Sequence, residues 1–218
     1  MKHKAVFFVA LGALLVTFAF GTALYHLLNK GVAAPLPETK RAALVRMHSP
    51  ALGSVEAPVV IVEFFDPACE TCASFYPRVK EIMAANPDRI RLVMRYAPFH
   101  DGSDKVVAIL EAARKQGKFW PVLEVLLANQ AGWVQNHTSQ VSLVWKYLEG
   151  LGLDLEKVKA DMAAPEIARA IAQDVEDART LNVTMTPEYF VNGRPLPSFG
   201  LEQLKTLIDD ALKQTRRS

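Results

Sequence analysis

The chain contains two cysteines, Cys69 and Cys72, which lie close together where a predicted strand gives way to a predicted helix. Apart from one glutamate, residues 59–65 are β-branched or aromatic, which is typical of a buried strand. Residues 73–85 favour a helix. This pattern predicts a fold in which the first cysteine begins a helix. There the helix dipole and the unpaired backbone N–H groups favour a thiolate.

The C-x-x-C spacing also limits the chemistry of the pair. Two cysteines supply only half of the ligands of a structural zinc site, and the five histidines include no pair at ligand spacing. A disulfide across two intervening residues closes too small a loop to stabilise a fold. Redox chemistry is therefore the leading interpretation, and we expect no cofactor and no resident metal.

Composition excludes little else. The formal net charge is +2 and charges of both signs are mixed along the chain, so nothing indicates a nucleic-acid partner. The 218 residues are enough for one domain with a real hydrophobic core.

The N-terminus carries a long apolar segment. Residues 5–25 contain no charged side chain and would span roughly 31 Å as a helix, enough to cross the hydrocarbon core of a bilayer. We therefore predict a membrane anchor over residues 1–28. The alternative is a signal peptide cleaved near Val32-Ala33-Ala34. Lysines flank both ends, so the short N-terminal tail and the redox motif decide the orientation, with the catalytic domain facing the periplasm.

The rest of the chain alternates between strand and helix patterns. Residues 29–55 contain several prolines and little periodicity, which indicates a linker. One helix separates the predicted strands 59–65 and 89–96, so these strands should be parallel in a βαβ unit. Residues 103–181 show helical periodicity broken at glycines and prolines. Asn192-Gly193 then predicts a hairpin before a terminal amphipathic helix.

These motifs together resemble the DsbA-like thiol-disulfide oxidoreductases over about residues 55–214. The resemblance rests on Glu63-Phe64-Phe65 leading to Cys69-Glu70-Thr71-Cys72, Pro77, Pro98-Phe99-His100 and Thr186-Pro187. It implies an α/β thioredoxin-like core, residues 56–102 and 182–218, with a helical insertion at 103–181.

The resemblance also implies roles for the site residues. Cys69 would be the nucleophile and Cys72 the resolving cysteine of thiol-disulfide exchange. Pro187 would form a cis peptide bond that turns the Thr186 backbone towards an extended substrate. The alternative for Pro187 is an ordinary trans proline at the start of an edge strand.

Three further residues are candidates. Glu63 would be a buried acid that exchanges protons with Cys72 through water, unless it lies at the exposed end of its strand. Glu70 and Thr71 would tune the thiolate, unless they are solvated residues of the first helical turn. Glu-Thr stands where strongly oxidising members of the family carry Pro-His, and Thr186 stands where they carry Val, so the resemblance does not fix the redox potential.

The expected function is disulfide exchange with protein substrates outside the cytoplasm, by a monomer whose cysteines a membrane redox partner resets. One alternative is a disulfide reductase or isomerase, although residues 29–55 leave no room for an added dimerisation domain. Another is Cu(I) delivery, which would need a third soft ligand such as Met185. We expect His100 to be a loop residue without a catalytic role.

Overall fold

The computed structural model describes residues 34–215, together with residues 14, 16–18, 20–22 and 24. The predicted anchor at residues 5–25 therefore lies largely outside the described residues. Among the described residues, the structure contains no helix whose length and apolar character would let it cross a bilayer. The chain divides into two compact units, residues 1–34 and 35–218, and the second unit contains the redox motif.

The second unit combines a five-stranded sheet with helices, as the sequence predicted. Its strands are β1 Ala51–Leu52, β2 Val59–Phe65, β3 Ile90–Tyr96, β4 Val134–Gln135, β5 Thr138–Ser139, β6 Glu188–Val191 and β7 Arg194–Pro195. Its α-helices are α1 Glu38–Arg41, α2 Glu70–Ala84, α3 Ser103–Lys115, α4 Phe119–Ala128, α5 Val141–Val144, α6 Leu155–Asp161, α7 Pro165–Thr180 and α8 Leu201–Gln214.

The sheet has the strand order β1-β3-β2-β6-β7. Strands β2 and β3 are parallel, as predicted from the single helix between them. Strand β6 is antiparallel to β2, and it turns through Asn192-Gly193 into antiparallel β7. The thioredoxin-like fold with a helical insertion is thereby confirmed.

Both faces of the central strand β2 are buried, which explains why its sequence is almost continuously apolar. Val59, Ile61 and Phe65 face the larger hydrophobic cluster, which includes residues of α2, of the insertion and of α8. Val62 and Phe64 face a second cluster on the opposite side of the sheet. The C-terminal end of β2 is thus fixed from both sides where it leads into the redox motif.

The prediction of a linker over residues 29–55 is wrong for the part that the structure describes, residues 34–55, because this part packs against the sheet. Strand β1 in this segment pairs with β3, and the backbone N–H of Leu36 donates to Gly193 O at 2.8 Å. Ala43 and Leu44 are buried in the second hydrophobic cluster. These contacts are long-range, so they leave no periodicity in the segment itself.

The insertion packs helices α3 to α7 around a common core and adds the two-stranded hairpin β4–β5, which the helical pattern did not predict. Trp133 at the start of this hairpin is fully buried, and its indole Nε1 donates to Leu126 O at 2.9 Å. Trp120 and Trp145 are partly buried against the same core.

A buried charge network joins the insertion to the sheet. The guanidinium of Arg95 on β3 is fully buried and donates to Asp174 at 2.8 Å and to Asp177 at 2.6 Å, both on α7. Arg46 and His48, which precede β1, bind the same two carboxylates. The alternating charges of β3 therefore do not all face solvent, because α7 supplies partners for Arg95.

Candidate active site

The turn between β2 and α2 presents Cys69 as the N-terminal cap of α2. Its backbone dihedrals are φ −78° and ψ 118°, and its sulfur accepts the backbone N–H of Cys72 at 3.4 Å. The N–H of Cys69 donates to Asp66 O at 3.0 Å, which closes the turn. A sulfur in the cap position satisfies an N–H that the helix leaves unpaired.

The second part of the site comes from the far end of the chain. The Thr186–Pro187 peptide bond is cis, as the resemblance implied. The Sγ atom of Cys69 lies 3.2 Å from Thr186 O. The fold thus brings Thr186 and Pro187 against the first cysteine of the motif.

The pKa values of the two thiols are shifted in opposite directions. The thiol of Cys72 donates a hydrogen bond to the sulfur of Cys69, and this is the main reason why the pKa of Cys69 falls from 9.0 to about 5. Burial opposes the fall, whereas Thr186 and backbone N–H groups add to it. Burial raises the pKa of Cys72 well above its usual value, and the charge of Glu63 raises it further. Cys69 is therefore a thiolate at neutral pH, whereas Cys72 is a thiol.

Glu63 is buried, with 1% of its surface exposed, so the alternative of an exposed strand end is wrong. Burial raises its pKa from 4.5 to about 8, and the charge of Cys69 adds to the shift. Glu63 is paired in register with Tyr189 on β6. Tyr189 opposes part of the rise, because its hydroxyl stabilises the ionised carboxylate of Glu63 and so lowers the pKa of that group.

The central dipeptide of the motif lies in the first turn of α2. Glu70 is exposed, and Thr71 is half-buried. The backbone N–H of Thr71 contributes to the lowered pKa of Cys69. Thr71 therefore helps to lower the pKa of Cys69 through its backbone, while the side chain of Glu70 faces solvent one residue from the nucleophile.

Sequence reasoning missed Asp66, which organises the turn before Cys69. Its carboxylate is fully buried and accepts the Ala68 N–H at 2.8 Å and the Ser103 hydroxyl. It also accepts the backbone N–H of His100 at 2.8 Å and lies 2.7 Å from the His100 ring Nδ1. His100 is a loop residue, as expected, but it anchors the turn. A lone acid directly after an apolar strand was the available signal.

Sequence reasoning also missed Gln130, which reaches the turn from the insertion. Its side chain is buried, and its Nε2 lies 2.8 Å from Pro67 O and 3.0 Å from Cys69 O. No motif in the sequence indicated this contact, because the residues are about sixty positions apart.

Apolar side chains are exposed on segments that adjoin the site. Met185 precedes Thr186 and is 56% exposed, and Phe199 is 49% exposed. Phe199 stacks on Phe75 of α2, with ring centroids 5.1 Å apart.

The copper alternative needs a third soft ligand beside the cysteines. Within the described residues, no group of three His, Cys, Asp or Glu side chains is arranged to hold a metal ion. Met185 remains a neighbour of Thr186 in sequence, with an exposed side chain.

Comparisons with known proteins identify the family. A family model described as Thioredoxin matches residues 46–210, well over half of the chain. This chain belongs to the thioredoxin family. A thioredoxin-like oxidoreductase from Silicibacter pomeroyi DSS-3 is 32% identical and covers 82% of this chain, which in turn covers 98% of that structure, with a TM-score of 0.68.

A second similar structure, alpha-DsbA1 from Wolbachia pipientis, has a TM-score of 0.69 at 18% identity. It covers 80% of this chain and is itself covered to 96%. At that identity it shows the fold alone. The fold that the resemblance to DsbA-like thiol-disulfide oxidoreductases implied is confirmed.

Curated relatives include the Na(+)/H(+) antiporter NhaA 3 of Salinispora tropica, which is 33% identical over 168 residues, or 75% of this chain and 25% of the antiporter. A second, NhaA 1 of Salinispora arenicola, is 34% identical over the same shares. The chain thus spans about a quarter of the length of these relatives, and their names assign no transport activity to it.

Proposed function

We propose that this protein exchanges disulfides with protein substrates on the extracytoplasmic side of the membrane, through the Cys69-Glu70-Thr71-Cys72 dithiol. The observation that carries the proposal is the position of the Cys69 sulfur, which caps α2 and lies 3.2 Å from Thr186 O beside the cis Pro187. This arrangement offers a stabilised thiolate next to a backbone segment that an extended chain can pair with.

In the oxidising direction, a substrate thiolate attacks Cys69 Sγ of the Cys69–Cys72 disulfide. A bond forms between the two sulfurs, the Cys69–Cys72 bond breaks, and Cys72 leaves with the electron pair. A second substrate thiolate then attacks the substrate sulfur of this mixed disulfide, and Cys69 leaves as a thiolate. The substrate loses two electrons and the dithiol gains them. Reduction of a substrate follows the same steps in reverse.

Glu63 supplies the proton that Cys72 needs when it leaves. Its pKa of about 8 keeps it largely protonated near neutral pH, and its charge raises the pKa of Cys72. After the transfer, Cys72 is a neutral thiol and can donate its hydrogen bond to the Cys69 thiolate. A bridging water would carry the proton between the two groups.

The lowered pKa of Cys69 favours oxidation of the substrate, because a stable thiolate is a good leaving group and stabilises the reduced enzyme. Glu70 opposes this preference, since its carboxylate disfavours a second negative charge nearby. Its exposure keeps the opposition modest. Thr71 assists through its backbone N–H.

The proposed location rests on residues 5–25, whose length and lack of charge suit a single-pass anchor in the inner membrane. With a short tail inside, the catalytic domain faces the periplasm, where disulfides persist. A membrane redox partner then resets the cysteines. The domain acts as a monomer in this scheme.

The exchange reaction is tested by trapping. Full-length protein with Cys72→Ser should accumulate mixed disulfides with a reactive two-cysteine peptide disulfide, because Cys69 attacks and nothing resolves the product. The matched variant Cys69→Ser should accumulate none. Equal trapping by both variants, or trapping by Cys69→Ser alone, would contradict the assignment of Cys69 as the nucleophile.

The location is tested in bacterial cells that express the full chain. The protein should stay with membranes after high-salt and carbonate washing. In intact cells that have first been treated with a reductant and washed, a membrane-impermeant maleimide should label Cys69. A soluble mature form that begins near Pro35 would identify a cleaved signal peptide instead. Protection of the thiols until lysis would contradict the proposed orientation.

A further inference from the structure

The reactive cysteine is held by a residue of the helical insertion. Gln130 begins a short 3-10 helix, Gln130–Gly132, directly after α4. Only 6% of its surface is exposed. Its buried side chain is directed at the turn that carries the nucleophile rather than at its own helix.

The amide of Gln130 makes two contacts with this turn. Its Nε2 donates to Pro67 O at 2.8 Å and to Cys69 O at 3.0 Å, so both N–H groups of one nitrogen are used. A glutamine supplies two such donors without a charge, whereas a carboxylate of the same shape supplies none when it is ionised. The two acceptors lie on either side of Ala68, at the last residues before α2.

These contacts complete the hydrogen bonding of the turn. The Asp66 carboxylate accepts the Ala68 N–H, and the Asp66 backbone carbonyl accepts the Cys69 N–H. Gln130 donates to the carbonyl oxygens of Pro67 and Cys69. The backbone of Cys69 is therefore restrained through both its N–H and its carbonyl, and this orientation determines where Sγ lies.

We propose that Gln130 is a positioning residue that sets the acidity of Cys69 from the insertion; the proposal rests on the proposed role of Cys69 as nucleophile. The sulfur meets the Cys72 N–H and Thr186 only while the Cys69 backbone keeps its cap conformation. The amide hydrogens also offset part of the dipoles of these two carbonyls, although the Cys69 carbonyl keeps a second donor in the Ala73 N–H at 3.1 Å.

The two redox states depend on Gln130 to different extents. In the oxidised enzyme, the Cys69–Cys72 bond itself fixes the sulfur over α2. In the reduced enzyme, only non-covalent contacts keep the thiolate in place. Loss of the Gln130 contacts should therefore destabilise the reduced enzyme more than the oxidised one, and the dithiol should become less oxidising.

The test compares Gln130→Met and Gln130→Glu in the full-length protein. Methionine keeps the length of the side chain but donates nothing, and glutamate keeps its shape. Gln116→Met is the matched control, since Gln116 also bridges two backbone groups but only those of Asp154, at 3.1 Å and 2.9 Å. The readouts are the pH dependence of Cys69 alkylation and the thiol–disulfide equilibrium with glutathione.

Both Gln130 variants should raise the Cys69 pKa by about half a unit or more, which is a factor of about three in thiolate stability, and should shift the equilibrium with glutathione by the same factor towards the oxidised protein. The Gln116 variant should match the wild type. An unchanged equilibrium with glutathione would overturn the proposal. An effect of Gln130→Glu alone would show a charge effect, and loss of the fold in both redox states would show a structural role; either result would also overturn it. If the wild type itself had no lowered Cys69 pKa, the proposed function would fail instead.

Discussion

Replacing Cys72 by alanine removes the donor that lowers the pKa of Cys69 most. In the reduced protein, the Cys72 thiol donates to the Cys69 sulfur, and the Cys72 backbone N–H donates to it at 3.4 Å. Alanine deletes the first of these hydrogen bonds and keeps the second. Serine deletes the thiol but keeps a hydroxyl that can donate in its place. The two variants therefore separate the side-chain donor from the helix terminus.

The expected size of the change follows from the strength of one hydrogen bond. A hydrogen bond to a charged acceptor contributes about 1.5–3 kcal/mol, which corresponds to about one to two pKa units. Cys72→Ala should therefore raise the Cys69 pKa from about 5 to about 6–7. It should stay below 9.0, because the backbone N–H groups and Thr186 still act on the sulfur. Cys72→Ser should raise it less than Cys72→Ala.

The same shift appears in stability. A pKa lowered on folding stabilises the folded protein above the unfolded-state pKa, and this contribution is lost as the pH falls through the folded-state pKa. Near pH 7 the Cys69 thiolate contributes about 3 kcal/mol to the reduced protein, and Cys72→Ala should remove about half of it or more.

The assay is a pH titration of the ultraviolet absorbance of the thiolate. Both variants contain one cysteine, so the transition belongs to Cys69 alone, and urea unfolding at each pH supplies the stability. Equal pKa values for the alanine and serine variants would refute the hydrogen bond as the main cause. A Cys69 pKa near 9.0 in both would show that the helix terminus contributes nothing.

Three further predictions concern charges. The raised pKa of Glu63 makes the reduced wild type lose stability as the pH rises from about 4 to 7, whereas Glu63→Gln has no such titration. The free energy of unfolding of Glu63→Gln in urea, relative to that of the wild type, should therefore grow by about 3 kcal/mol over this range. If this difference stays constant with pH, the folded-state pKa of Glu63 lies near 4.5. Glu70→His should lower the Cys69 pKa and raise the reduction potential by up to ~30 mV per pKa unit in glutathione equilibria, and a shift in the reducing direction would contradict a restraining role. Arg95→Met removes the fully buried partner that Asp174 and Asp177 share and leaves them only the partly exposed Arg46 and His48, so it should cost about 3 kcal/mol in urea unfolding. Replacing the more exposed Arg46 by methionine should cost about 1 kcal/mol, and equal costs would be inconsistent with this network.

Local patterns predicted most of the sheet. Strand β2 was predicted from its apolar run, and the parallel pairing with β3 from the single helix between them. The hairpin after β6 followed from Asn192-Gly193, because only a few residue types adopt the positive φ angles that such a turn requires. The terminal helix α8 followed from its amphipathic period.

Patterns failed where long-range contacts decide the structure. Residues 35–55 lack periodicity because their order comes from pairing with β3 and from packing of Ala43 and Leu44 on the sheet. Arg95 follows the alternation of an exposed strand, yet it is buried because α7 brings two carboxylates to it. Neither partner is near in sequence, so no local rule could indicate it.

The sequence by itself determined the redox pair, the strand-to-helix junction that makes Cys69 a helix cap, and the order of elements around it. These properties depend on neighbouring residues and on backbone preferences. Only the tertiary structure decided which groups surround the sulfur. Thr186, Glu63 and Gln130 reach the site through sheet pairing and helix packing, and the acidity of a thiol depends on every charge, dipole and donor near it in space.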